Sequence, residues 1–403
     1  MIQDIDKELS RLKADTVVII GDSTFGNPSL AYVVGATATR GGIYMKHVGS
    51  KPMLLVSEID VGSAKKGIIQ DIRSYSEFGY LELSKRMGET KAKIEVCTKV
   101  LKEMNIEGNI CLGGKVEAGL ALSWAEGLKG KGFGITIDES LIDRVRMTKD
   151  DVEIEKVRNV GKKTEKVVAA TIKMLQECMI GKDGKLKSQE GKPLTVADVK
   201  AFIRMRLAEE NLIASEDTIF AVGPEAADPH NNGGERTVIP TNTPLVYDIF
   251  PQEVGAYCFD MTRTIVIGKA SNEVRKAYTD VLESQLLALD TIRSGVPAKE
   301  VMRKVCEFLQ SRGHRTPIYY VEKNIPMTDG LIHGLGHGVG LTIGEPPYLR
   351  LTSEDTLAEG ALTTVEPGVY YPGRFGVRVE DIVVVRKNKP ENLSTFSKEL
   401  EAV

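Results

Sequence analysis

At 403 residues the chain is longer than one hydrophobic core ordinarily serves, so two domains are expected. Its composition, 42% hydrophobic and 27% charged, is that of a soluble globular protein, and a net charge of −3 offers no broad basic surface to nucleic acid or an anionic membrane. No apolar run nears the roughly 20 residues of a membrane helix, the start Met-Ile-Gln-Asp-Ile-Asp-Lys reads unlike a secretory leader, and an odd set of five cysteines (Cys97, Cys111, Cys178, Cys258, Cys306) without a CxxC argues for reduced thiols in the cytoplasm.

Ile2, Ile5, Leu9 and Leu12 recur at helical spacing, and Thr16 to Ile20 reads as a short buried strand before a turn from Gly21 to Pro28. Ala31 to Val34 and Met53 to Val56 read as further strands, and Tyr44 to Lys51, with His47, as an exposed hairpin. Ile94, Cys97, Val100, Leu101 and Met104 mark one face of a helix; Asn109 to Leu112 is a strand and Val116 to Leu128 a helix. Alternating strands and helices predict a small α/β domain over residues 1–146, with no catalytic constellation in it.

The second domain is expected over residues 147–403, after a boundary near 138–150. Thr148 can cap a helix that starts at Lys149-Asp150-Asp151 and runs to about Met179 on an apolar face including Val157, Val160, Val167 and Val168. Gly181 to Pro193 is a polar loop, and a helix follows from Thr195 to Asn211. After the strand Thr218–Val222, the breakers in Gly223 to Gly234 leave His230 on a loop. Helices are predicted from Asn272 to Ser294 and from Ala298 to Gln310, stopped between by Gly295 and Pro297.

The chemistry gathers on two strand pairs. Leu245 to Phe250 carries Asp248, and after a turn around Pro251 to Gly255 the return strand Tyr257 to Thr264 carries Asp260. Further on, Thr364-Val-Glu366-Pro-Gly runs out and Gly376-Val-Arg378-Val-Glu380-Asp381 runs back. A carboxylate inside an apolar strand is costly to bury unless it is paired or bound to a cation. Four of them carry a charge that two divalent ions would cancel, and oxygen ligands with one imidazole suit Mn, Co, Fe or Zn. Two such ions some 3.5–4 Å apart would hold a water acidified toward neutrality. His337, between glycines that let the backbone approach closely, is the candidate nitrogen ligand, and His333 lies four residues before it.

Taken in order, D…D-x-T-R-T, H-G-x-G-H-G-x-G-L, E-P-G and G-x-R-x-E-D resemble the creatinase/prolidase/aminopeptidase P group of M24 metallopeptidases, over roughly Thr148 to Val385. The resemblance implies a two-domain α/β protein, a creatinase-like α/β domain followed by an α+β "pita-bread" domain. It implies that Asp248, Asp260, His337, Glu366 and Glu380 hold two divalent ions bridged by a hydroxide, and that Glu366 takes the proton of that water. It further implies that His230 and His333 bind substrate and shuttle protons, that Arg378 assists near the last ligand, and that the protein is a homodimer. Members of the group cleave between an N-terminal residue and a following proline, in dipeptides or longer peptides. Two departures stand out. Gly344 replaces the histidine of the group's G-L-x-x-H-E-x-P stretch, and the Asp248–Asp260 interval is one residue longer than usual. Two other readings of the same residues are a catalytically weakened peptide- or partner-binding module and a metal-free, creatinase-like amidinohydrolase.

Overall fold

The computed structural model describes residues 2–35, 39–254 and 256–402, and the chain divides into two compact units, Met1–Arg146 and Met147–Val403. Gly255 and the Ile2 side chain, both used in the sequence reading, lie outside the described residues.

The first unit is built on a six-stranded mixed sheet. Its strands are β1 (Thr16–Gly21), β2 (Gly42–His47), β3 (Met53–Val56), β4 (Asp71–Ser74), β5 (Asn109–Gly113) and β6 (Gly134–Ile137), in the order β4-β3-β2-β1-β5-β6. The central strands are largely apolar, β-branched in β1, and buried along nearly their whole length, the pattern of a sheet covered on both faces. Helices Glu89–Glu103 and Ala118–Lys129 pack on it through Val96, Val100, Leu101 and Trp124.

Two expectations in this unit are corrected. Ala31 to Val34 is helical, within Pro28–Val34, because the Asn27 side chain accepts from Leu30 N, Pro28 starts the helix and Gly35 closes it in the left-handed region. A short apolar run has no periodicity to tell strand from helix, and the caps decide. Tyr44 to His47 does lie in a hairpin with β3, but as a buried interior strand. Lys46 is fully buried against Asp6 at 2.5 Å, and His47 Nδ1 lies 2.9 Å from Thr16 Oγ1.

The second unit opens on the helix Asp151–Gln176, whose apolar stripe from Ile154 to Leu175 is buried as expected. Its cap is Asp150 rather than Thr148: Asp150 accepts from Glu153 N while the Glu153 carboxylate accepts from Asp150 N. Thr148 instead bridges to Ala361. Helices Val196–Glu209, Asn272–Thr291 and Ala298–Ser311 follow close to their predicted bounds. Among the described residues no helix is long and apolar enough to cross a membrane.

The strands of this unit form several small sheets. β7 (Ile219–Val222), β8 (Pro244–Ile249) and β9 (Met261–Ile267) are antiparallel neighbours, joined on the far edge by the parallel Glu401–Ala402. The segment after β8 is not a tight turn. Pro251–Glu253 leaves the sheet and pairs with Leu212–Ala214, so the return strand starts at Met261, four residues later than expected. β10 (Gly336–Val339) pairs irregularly with β11 (Ile343–Leu349). β12 (Leu362–Val365) pairs with β15 (Asp381–Val384), and β13 (Gly368–Tyr371) with β14 (Phe375–Arg378).

Candidate metal centre

Strand register brings the acids together. Asp248 faces Thr262, and Asp260 stands two residues before Thr262, so both acids project from one face of the sheet, diagonally placed. Glu366 and Glu380 lie in the break between β12/β15 and β13/β14. Val365 faces Asp381 and Gly368 faces Arg378, so one register spans the break and sets Glu366 opposite Glu380. Glu380 N donates to Thr262 O at 3.1 Å, which ties the two strand systems together at the acids.

β10 carries His337 against this floor. A Cβ on Gly336 would lie 2.1 Å from Thr364 O, so only glycine lets the strand approach so closely. His337 Nε2 stands 3.5 Å from Glu366 Oε1 and 3.7 Å from Asp260 Oδ2. Nδ1 lies 3.1 Å from Gly338 O, so a ring that keeps its Nε2 lone pair toward the acids places its proton on that carbonyl.

Asp248, Asp260, Glu366, Glu380, His337, His333, His230 and Arg378 all line one cleft of about 570 Å³ in this unit. The eight side chains singled out in the sequence are therefore together. Asp260, His337 and Glu380 each offer a ligand atom within 4.8 Å of the others. Burial, with the charges of Glu380, Asp248 and Glu366 added, holds the Asp260 carboxyl well above its ordinary range. Burial and the neighbouring acids do the same to Glu380, and burial pushes Glu366 up to about 7. Arg378, buried beside these acids, is paired to Asp248 Oδ2 at 2.6 Å. Asp248 Oδ1 and Asp260 Oδ1 are buried without a hydrogen-bond partner among the described residues. A set of hard oxygen donors and one imidazole, over-charged and with orphaned oxygens, fits divalent cations.

Two residues that sequence reasoning gave no role complete the centre. Tyr370, fully buried, lies 2.9 Å from His333 Nε2 and accepts from Arg378 Nη1 at 2.8 Å. Alternation from Glu366 along E-P-G-V-Y placed it on the same face, a signal that was available. Thr262, inside the D-x-T-R-T stretch, donates to Glu380 Oε2 at 2.7 Å and accepts from Arg378 Nε at 3.1 Å. His333 is held at both nitrogens, by Gly334 O at 2.6 Å and by Tyr370, and burial with the Arg378 charge pushes it down to about 3. The His230 ring, by contrast, is exposed at the cleft and makes no hydrogen bond among the described residues.

Arg263, in the same motif, faces away from the cleft and locks the floor from behind. Its five N–H groups are all used, on Thr262 O, Glu380 O, Asp381 Oδ1, Phe396 O and Ser397 O, at 2.7–3.0 Å. Arg263→Met is expected to cost about 2–4 kcal/mol in urea unfolding, because four carbonyls lose a donor and the buried Asp381 is left to Lys398 and Asn392. A loss below about 1 kcal/mol would show that the lock is dispensable.

Comparison with known proteins agrees with this geometry. The model of metallopeptidase family M24 matches residues 155–387. The chain is 28% identical over 379 residues to an Xaa-Pro dipeptidase of Pyrococcus furiosus, covering 93% of each protein. Among solved structures, an X-Pro aminopeptidase of Thermotoga maritima MSB8 superposes with a TM-score of 0.76 at 24% identity, over 98% of this chain and 99% of that one. An Xaa-Pro dipeptidase of Bacillus anthracis gives 0.80 at 21% identity, over 99% and 98%. The architecture is thus the two-domain α/β arrangement with a pita-bread fold. With the matched segment spanning more than half of the chain and containing all eight cleft residues, the protein belongs to metallopeptidase family M24.

Proposed function

We propose that this protein is a dinuclear-metal exopeptidase that hydrolyses the bond between an N-terminal residue and a following proline, in dipeptides or at peptide N-termini. The observation that carries the reading is the cleft floor of four crowded carboxylates and one imidazole, two of whose buried oxygens have no partner. Asp248, Asp260, His337, Glu366 and Glu380 would hold two divalent ions, of Mn, Co, Zn or Fe. Such ions, when bound, supply Lewis acidity and a water acidified toward neutral pH. The Xaa-Pro specificity is supported by the Pyrococcus relative.

The chain's own groups divide the remaining tasks. Glu366, steadied by Thr364 Oγ1 at 3.2 Å and half-open to the cleft, accepts the proton of the attacking water. His230, with its ring unengaged, carries a proton to the departing proline nitrogen. His333, bonded at both nitrogens, acts with Tyr370 to position Arg378, which in turn orients Asp248. The units 1–146 and 147–403 are read as the creatinase-like domain and the catalytic domain. A homodimer is supported by the family resemblance alone, and a cytoplasmic location by the odd set of five cysteines without a CxxC.

The test is direct. Protein loaded with Mn or Co is expected to release free amino acid from Xaa-Pro and not from Xaa-Ala, with about two ions per chain by elemental analysis. Comparing Xaa-Pro with Xaa-Pro-Yaa separates dipeptidase from aminopeptidase action. No turnover with any divalent metal would remove the reading.

A further inference from the structure

The hairpin that presents His337 is poorly fixed by its own ladder. β10 reads Gly-His-Gly-Val, and its pairing with β11 shifts register between Gly336 and Gly338 and again between Gly338 and Val339. A glycine-rich strand specifies its register weakly, because few side chains hold it against slipping. The ring of His337 depends on that register. Its Nδ1 lies 3.1 Å from Gly338 O on one strand and 3.2 Å from Gly344 N on the other, so a slip of either strand turns the imidazole off the acids.

Along β11 the core-facing positions are Glu345, Pro347 and Leu349. A carboxylate thus stands where the alternation calls for an apolar residue. Glu345 pairs with Gly338, the residue after His337. Its Oε1 meets Lys149 Nζ at 2.5 Å, with the side chains 1% and 2% exposed, and its Oε2 accepts from Thr342 Oγ1 at 3.1 Å. Gly340 makes room for the pair: a Cβ there would lie 2.5 Å from Glu345 Oε1 and 3.0 Å from Lys149 Cε. The backbone of Lys149 belongs to the other side of the centre. Its N–H donates to Gly360 O at 2.9 Å, and Thr148 bridges Ala361, immediately before β12, the strand that leads to Glu366. Lys149 therefore spans from the strand of Glu366 to the hairpin of His337.

A buried ion pair gains little net stability, since desolvation offsets its attraction, and an apolar pair of similar volume serves folding as well. What such a pair adds is register, because its charges and hydrogen bonds accept one alignment and penalise the others. We propose that Lys149 and Glu345 are positioning residues of the metal centre: their ion pair locks the β10–β11 hairpin in the register that aims His337 Nε2 at Asp260 and Glu366. The proposal rests on the dinuclear reading given above. An imidazole nitrogen offers one lone pair, so His337 serves one of the two ions. Loosening its hairpin weakens the binding of that ion and spares the other.

The experiment is calorimetric titration of the chelator-treated full chain with Mn, in wild type and in Lys149→Met/Glu345→Met. The double variant fills the space of the pair and removes both charges together, so neither is left buried alone. Its metal-free melting temperature is expected to stay within about 3 °C of wild type. One of the two Mn-binding steps is expected to weaken about 10–100-fold, as when a group that orients a metal ligand is lost, and the other to stay within about threefold. His337→Ala identifies the step, which it removes. Glu345→Gln, which keeps the shape and an acceptor for Lys149, is expected to weaken the same step about tenfold. Two steps of wild-type affinity in the double variant overturn the proposal. So does equal weakening of both steps, which marks a general loosening of the cleft. A metal-free melting temperature lowered by more than about 10 °C also overturns it, since the pair then holds the fold. Fewer than two ions on the wild-type protein would remove the dinuclear reading itself, whereas two ions held alike by wild type and double variant remove only the role of Lys149 and Glu345.

Discussion

Asp260→Asn is expected to abolish peptidase activity while making the metal-free protein more stable. The carboxylate is buried, one of its oxygens has no partner, and three other acids surround it. In the metal-free fold that arrangement is a net cost, since an unpaired buried charge and its neighbours' repulsion both oppose folding. Asparagine keeps the shape and removes the charge. A gain of about 1–3 kcal/mol in urea unfolding of chelator-treated protein is expected. The same change takes a ligand oxygen from the proposed metal pair, and kcat/KM should fall about 10³-fold or more, equivalent to some 4 kcal/mol of transition-state stabilisation. Loss of both stability and activity would mean that Asp260 holds the fold rather than the ions.

Metal removal is expected to make stability fall as pH rises. The carboxyls of Asp260 and Glu380 are held well above their ordinary range by burial and mutual repulsion, and Glu366 is pushed to about 7. In the unfolded chain a glutamate titrates near 4.3. Between these values the folded state binds more protons than the unfolded state, so stability decreases with pH. The contribution is fully present below about pH 4 and, for Glu366, is lost as pH rises through about 7. For Glu366 alone the change is roughly 4 kcal/mol. Divalent ions bind the deprotonated acids, so the stabilisation by Mn or Co should grow across the same window. Unfolding curves of chelated and metal-loaded protein from pH 4.5 to 7.5 check this. Parallel curves for the two forms would show that the acids and the ions do not share a site.

The cleft residues were legible for a physical reason. Acids in the middle of Val/Ile-rich strands, as at Asp248 and Glu366, are too costly to keep without a purpose, and glycines on both sides of His337 announce a close backbone approach. Where the sequence reading failed, the competing local signals were balanced. Ala31 to Val34 satisfies strand and helix equally, and the Asn27 and Gly35 caps settled it. Tyr44 to Lys51 looked exposed because Lys46 and His47 are polar, yet Lys46 is buried by its pairing with Asp6. Thr148 and Asp150 both offer a capping oxygen with an acid three residues on, but Thr148 is taken into a bridge with Ala361, and Asp150 with Glu153 forms the reciprocal cap.

The amino-acid order alone determined the element types over most of the second unit, the acid, histidine and arginine residues of the centre, and the family. Spacing along one strand or helix is a local property, and it survives in the sequence. Which donors remain for a substrate was decided only by the tertiary structure. Tyr370 engages His333 and Arg378, Thr262 joins Arg378 to Glu380, and Lys149 reaches Glu345, through contacts set by how separate strands cross. A side chain's hydrogen-bonding capacity is spent on whatever the fold brings to it, and no single strand records that.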